Sequence, residues 1–283
     1  MEPVNNGSEL VVGVIGGLGP EATHDFFGKL LRHSRAKSDQ DHIHMIIENN
    51  PKTPNRNEAI AGRGVSPGPW LADMARALER AGADFIVMAC NTAHAFEKDI
   101  RAATTKPFVS IIDEVVNEVL QAHPLVRRVG LLATQGSLDS QIYHVAFARN
   151  GIEVLQLAAP SQARFMDIIY RIKSGDHEGA EMRSLGEELI AQGADILIAG
   201  CTEVPLVLKN GDNSKPLIDS TDVLAKSCVA YARKIKPLPG GPKSRPPPVN
   251  LDGWDGEIAL SRNAKHQRVK SPLIRAMPFS SKR

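Results

Sequence analysis

Two of the three cysteines, Cys90 and Cys201, stand in matched surroundings. Ala81-Gly82-Ala83-Asp84-Phe85-Ile86-Val87-Met88-Ala89-Cys90-Asn91-Thr92 aligns with Gln192-Gly193-Ala194-Asp195-Ile196-Leu197-Ile198-Ala199-Gly200-Cys201-Thr202-Glu203, an offset of 111 residues (201 − 90). Each copy reads as a helix end, a Gly-Ala-Asp turn, an apolar strand and then a thiol. A thiolate is a base and a thiol is an acid. Two of them facing one carbon can take a proton from one side and return one to the other. One cysteine must begin as thiolate, and a helix start behind it favours that form through free backbone N–H groups. The runs Asn91–Phe96 and Thr202–Pro205 read as such starts, and the Asn and Thr side chains there suit a substrate carboxylate. Buried cysteine is common as a small hydrophobe. Two cysteines in the same strand-end slot argue for chemistry instead. Cys228 lies in the apolar-periodic helix Val223–Ala232 and reads as core.

The elements that must position these thiols follow from periodicity. Short apolar runs at 10–16, 44–48, 85–89, 108–112, 129–133 and 196–199 predict buried parallel strands. Amphipathic stretches Trp70–Ala81 and Glu181–Gln192 predict helices between them. Two further pairs repeat in the same order. Val12-Gly13-Val14-Ile15 matches Val129-Gly130-Leu131-Leu132, and Lys106-Pro107-Phe108-Val109 matches Lys215-Pro216-Leu217-Ile218. Three ordered matches indicate two copies of one unit. The fold class is therefore α/β: two similar lobes, each a parallel sheet flanked by helices, related by a pseudo-twofold axis. Ligands bind beyond the carboxyl ends of parallel strands, so both thiols are expected in one cleft between the lobes. We assign 1–110 plus 206–236 to the first lobe and 111–205 to the second.

Composition narrows the class. Of the 283 residues, 42% are hydrophobic and 23% charged, as in a soluble globular protein. Three cysteines make no disulfide framework and suit a reducing compartment. The polar start Met1–Leu10 lacks a secretory pattern, and no apolar run is long enough to span a membrane, so a cytoplasmic location is expected. Residues 237–283 carry nine Lys/Arg and three Asp/Glu (+6), against −4 for the rest, and 8 of the 19 prolines. That composition reads as a disordered basic tail. Its charges are scattered, so neither a nucleic-acid nor a membrane partner is expected.

Several motifs together carry a family resemblance. They are Gly16-Gly17-Leu18-Gly19-Pro20, Asn49-Asn50-Pro51 with Pro54-Asn55-Arg56, Ala89-Cys90-Asn91-Thr92-Ala93-His94 and Gly200-Cys201-Thr202-Glu203. Over residues 10–235 the chain resembles the aspartate/glutamate racemase superfamily, and most closely its aspartate racemase branch. The resemblance implies a two-cysteine amino-acid racemase without pyridoxal phosphate or other cofactor. It further implies an acidic amino-acid substrate and a homodimer. It carries the catalytic roles to Cys90 and Cys201. It carries substrate-binding roles to Asn91, Thr92, Thr134 and Thr202, and to Arg56 and Lys173 as cations for a diacid. Arginine holds a carboxylate bidentately and lysine acts as a point charge. Asn49, His94 and Glu203 are possible auxiliary residues. The chain reads Pro54-Asn55-Arg56-Asn57 where this branch commonly has Pro-Asp-Arg-Thr, which touches side-chain specificity more than chemistry.

Other readings remain. Gly17-Leu18-Gly19-Pro20-Glu21-Ala22 fits a dinucleotide fingerprint, but Pro20 removes an N–H that phosphate would need. Superfamily relatives isomerise maleate, decarboxylate malonates or racemise hydantoins. Decarboxylation needs only one cysteine, whereas maleate isomerisation needs two. A non-enzymatic binding protein would most simply have lost a cysteine. No Cys/His spacing suits zinc.

Overall fold

A computed structural model of the protein describes residues 9–239. The basic tail expected over 237–283 lies outside the described residues from 240 onward, as does most of the polar N-terminal stretch. Among the described residues, eight parallel strands form two four-stranded sheets. The first contains β1 (Val12–Gly16), β2 (Met45–Asn49), β3 (Phe85–Met88) and β4 (Phe108–Val109), in the order β2-β1-β3-β4. The second contains β5 (Arg128–Leu132), β6 (Glu153–Leu155), β7 (Ile196–Ala199) and β8 (Leu217–Asp219), in the order β6-β5-β7-β8. The first lobe's helices are α1 (Pro20–Ser34), α2 (Arg56–Ile60), α3 (Gly68–Arg80) and α4 (Glu97–Ala103). Then come α5 (Ile111–Ala122), α6 (Gln135–Asp139), α7 (Ile142–Ala148) and α8 (Ala159–Lys173). The last three are α9 (Ala180–Ala191), α10 (Val204–Val207) and α11 (Ser220–Ala232).

The repeat seen in the sequence is a repeat of packing. Helix α3 buries Leu71, Met74, Ala75 and Leu78, and α9 buries Met182, Leu185, Gly186 and Leu189. These are the same helical positions 111 residues apart, one apolar stripe facing one sheet. A Cβ on Gly13 would lie 2.8 Å from the Ala83 Cβ and 3.2 Å from that of Leu78. On Gly130 it would lie 3.0 Å from Ala194 and 2.9 Å from Leu189. Glycine at this strand position lets the helix sit against the sheet in both lobes. The Gly-Ala-Asp turn also does the same work twice. Gly82 (φ +99°) and Gly193 (φ +101°) take the left-handed turn that glycine accommodates without strain. Asp84 then accepts from the Val11 N–H at 2.8 Å, and Asp195 from the Arg127 and Arg128 N–H groups at 2.9 Å. Each aspartate thereby sets the start of the neighbouring central strand.

Several sequence expectations change. The strand expected over 108–112 ends at Val109, because the Ser110 side chain accepts from the Asp113 N–H and starts α5. The short strands β6 and β8 were not expected as strands; β6 is a three-residue edge with an exposed first residue. Assigning 206–236 as a block to the first lobe does not hold. Strand β8 pairs with β7 in the second sheet, and only then does α11 cross back to pack on α1 and α5. The crossing is tied down by polar contacts. Lys29 on α1 pairs with Asp219 at 2.6 Å, and Glu114 on α5 accepts from Tyr231 on α11 at 2.6 Å. One buried apolar cluster accordingly joins residues of both sheets with α5 and α11, and each lobe keeps a second cluster on its outer face.

Candidate active site

In each sheet the chain reverses direction beside the first strand, so a crevice opens at the carboxyl ends of β1 and β3, and of β5 and β7. Cys90 follows β3 by two residues and Cys201 follows β7 by two. Both are buried, at 6% and 4% exposure, which removes them from bulk water and strengthens nearby charges. The chain after Cys90 turns as a 3-10 helix over Thr92–Phe96 before α4, and Cys201 is followed by the one-turn α10.

Contacts between the lobes follow the internal repeat. The second residue after Cys90, Thr92, meets Thr134 in the loop after β5, with hydroxyls 2.7 Å apart. The second residue after Cys201, Glu203, sits against Gly19 in the loop after β1. The carboxyl ends of the two sheets therefore face each other. A Cβ on Gly19 would collide with the Glu203 carboxylate and lie 3.1 Å from the Lys173 Nζ, so glycine here makes room for a charged pair.

Lys173, the last residue of α8, forms an ion pair with Glu203. The other oxygen of that carboxylate accepts from the Cys201 thiol and from the Thr202 hydroxyl, each at 3.1 Å. Burial, and then the carboxylate of Glu203, push the Cys201 thiol well above the usual cysteine range, with Lys173 opposing. Burial alone would lower the Lys173 ammonium. The neighbouring carboxylate of Glu203 outweighs it and holds Lys173 above its ordinary value. Arg56 is fixed by three backbone carbonyls, of Leu18 (2.8 Å), Pro54 (2.9 Å) and Thr53 (3.2 Å). Arg56, Lys173 and Glu203 line one cavity of about 340 Å³ with the Gly17-Leu18-Gly19 turn. A larger hollow of about 450 Å³ beside Arg101, Asn117 and Arg149 shares no residue with it.

The other expected residues divide. Thr92, Thr134 and Thr202 are buried at the strand ends, the first two in a hydroxyl cluster with Ser137. The Asn91 side chain is spent mostly on bracing. Its Nδ2 donates to Ser220 at 3.1 Å, and its Oδ1 accepts from the Tyr143 hydroxyl at 2.6 Å. Ser220 in turn donates to the Ala199 carbonyl at 2.7 Å. Both ring nitrogens of His94, a possible auxiliary residue, are taken by backbone groups. The Ile111 N–H donates to its Nε2 at 3.2 Å, so its Nδ1 carries the proton and donates to the Cys90 carbonyl at 2.8 Å. Burial lowers His94 to about 4, keeping it neutral, and its role is to brace the Cys90 turn. Asn49 is exposed at the end of β2 and does not line the cavity. Cys228 is buried in the apolar core, as expected.

Sequence reasoning missed Ser137, Tyr143 and Ser220. Ser220 carried a signal, since it follows the repeated Lys-Pro strand directly; Tyr143 carried none. The two altered loop residues have local work. Asn55 caps α2, accepting from the Asn57 and Glu58 N–H groups, and the Asn57 side chain accepts from the Gly136 N–H across the lobes at 2.9 Å. Among the described residues no group of three or more His, Cys, Asp or Glu could hold a metal ion, and no helix is long and apolar enough to cross a membrane.

Comparison with known proteins agrees with this geometry. The sequence profile of the Asp/Glu/Hydantoin racemase family matches residues 15–228. The broad-specificity amino-acid racemase RacX of Bacillus subtilis is 33% identical over 227 residues, covering 78% of this chain and 97% of RacX. The structure of aspartate racemase from Picrophilus torridus superposes with a TM-score of 0.70 at 31% identity, covering 79% of this chain and 94% of that one. An aspartate racemase homologue from Pyrococcus horikoshii gives 0.64 at 30% identity, covering 78% and 98%. With the profile matched over residues 15–228, this chain belongs to the Asp/Glu/Hydantoin racemase family of isomerases.

Proposed function

We propose that this protein interconverts the enantiomers of an acidic amino acid, aspartate or glutamate, with Cys90 and Cys201 as the acid–base pair. The observation that carries the reading is the equivalent placement of two buried thiols just past the ends of β3 and β7, with the Lys173–Glu203 ion pair against Cys201. One cysteine begins as thiolate and takes the Cα proton. The electron pair of the broken C–H bond spreads onto the substrate's α-carboxylate. The thiol opposite delivers its proton to the other face and becomes the thiolate, so the reverse reaction starts from the product state. The hydroxyls of Thr92, Thr134 and Thr202 and the free Nδ2 hydrogen of Asn91 suit the α-carboxylate. Arg56, held still by three carbonyls, suits a second carboxylate with little ordering left to lose. Two relatives described as an aspartate racemase and an aspartate racemase homologue support an acidic substrate, and RacX supports amino acids more broadly. A cytoplasmic homodimer that needs no added cofactor accompanies this reading.

The test is incubation with L- and D-amino acids in deuterated water, followed by chiral analysis. Deuterium at Cα with inversion is expected for the intact protein. Cys90→Ser and Cys201→Ser should each lower inversion by about 10²–10⁴-fold, the usual contribution of one general acid or base. Each variant should still exchange the enantiomer whose Cα proton faces the remaining thiol. Full inversion in either variant would remove the two-base mechanism. Maleate turnover without Cα exchange would favour the isomerase chemistry of related enzymes instead.

A further inference from the structure

Lys173 is the cation assigned above to an acidic substrate, yet it already has a carboxylate. Glu203 follows Cys201 by two residues, and its side chain is 5% exposed, whereas that of Lys173 is 31% exposed. Both residues line the cavity, and the ammonium belongs to the more exposed of the two side chains. Three donors converge on Glu203: the ammonium of Lys173, the thiol of Cys201 and the hydroxyl of Thr202. The Gly19 backbone approaches the pair closely, and a Cβ there would meet the Glu203 carboxylate and the Lys173 ammonium as they stand. A carboxylate on Lys173 is the same contact that the distal carboxylate of aspartate or glutamate would make. A substrate with a neutral side chain leaves this contact intact and strands no unpaired ammonium in the cleft. An acidic substrate must share Lys173 with Glu203.

We propose that Glu203 is a resident counter-ion for Lys173, which lets the cleft turn over neutral amino acids beside acidic ones and sets the ratio between them. The proposal rests on the racemase reading and adds the substrate range and its determinant. Without the Glu203 charge, Lys173 would reward a second carboxylate and disfavour a neutral side chain. Without Lys173, the buried Glu203 would repel the acidic substrate.

L-Aspartate and L-asparagine differ chiefly in charge, so they isolate the effect. The experiment measures kcat/KM for Cα deuterium incorporation with each, for the full chain and for Glu203→Gln. The wild-type protein should act on both. Glu203→Gln should raise the aspartate-to-asparagine ratio roughly tenfold, the order of one charge-assisted hydrogen bond. Lys173→Met should move the ratio the opposite way. A purely structural role for Glu203, or one confined to the acidity of Cys201, would lower both substrates together and leave the ratio unmoved. That result overturns the proposal, as does a wild-type protein inert toward asparagine. Should Glu203→Gln fail to fold by circular dichroism, Glu203→Asp keeps the charge but shortens the reach. A ratio moved by neither Glu203→Asp nor Lys173→Met overturns the proposal equally. Exchange of aspartate with an unmoved ratio leaves the racemase reading standing, whereas no Cα exchange with any amino acid removes both.

Discussion

Tyr143→Phe deletes one atom and tests whether the strand ends are latched together as described. The Tyr143 hydroxyl is buried and donates to the Asn91 Oδ1 at 2.6 Å, and Asn91 precedes the Thr92–Thr134 contact and follows Cys90. Burial holds the phenol far above its ordinary pKa, so it remains a donor throughout the working pH range. Phenylalanine keeps the ring stacked on Phe147, whose centroid is 6.1 Å away, so apolar packing is conserved. What is lost is the donor to the buried amide oxygen of Asn91. Leaving such an acceptor unpaired costs about 1–3 kcal/mol. For a chain of this size, 2 kcal/mol corresponds to a Tm lower by about 4–8 °C. Because Asn91 adjoins Cys90, its reorientation should also lower kcat/KM roughly tenfold, the order expected when a reacting group is misplaced by a fraction of an ångström. Thermal unfolding by circular dichroism gives the first number and the deuterium-exchange assay the second. An unchanged midpoint together with unchanged kcat/KM would refute the latch.

Two further outcomes follow from the fold. His94 is lowered from 6.5 to about 4 by burial, so between these pH values the unfolded chain takes up a proton that the folded one refuses. Stability should therefore be lost as pH falls from about 6.5 toward 4, by roughly 3 kcal/mol from this one residue. Denaturant titrations across that window should show the slope, and His94→Gln should flatten it; an equal slope in both proteins would count against a buried neutral imidazole. Gly13→Ala and Gly130→Ala place a methyl in the same crowded helix–sheet contact in the two lobes. Each should cost about 1–3 kcal/mol by overpacking, and by similar amounts. Urea midpoints that fall for one variant alone would argue against equivalent lobes.

Much of the fold was legible before any coordinates because it rests on local periodicity. The stripe Leu71, Met74, Ala75, Leu78 and its counterpart in α9 are helical spacing written directly in the chain, and the apolar runs of β1, β3, β5 and β7 are buried on both faces. The strand-end cysteines were legible for the same reason, since a repeat of a strand repeats whatever follows it. What failed was short or cooperative. Strand β4 stops at Val109 because a serine cap outweighs two more β-branched residues, and β6 is too short and too exposed to leave a pattern.

The amino-acid sequence by itself thus determined the two-lobed α/β architecture, the matched thiols and the presence of cations suited to carboxylates. Only the tertiary structure decided how those groups are partnered. The Lys173–Glu203 pair, the Asn57 bond to Gly136, and the chain of contacts from Tyr143 through Asn91 to Ser220 join residues 30 to 129 positions apart. No local propensity encodes such contacts. They exist because two sheets, each built from nearby sequence, pack their carboxyl ends against each other, and buried polar groups must then find partners wherever the opposing loops supply them.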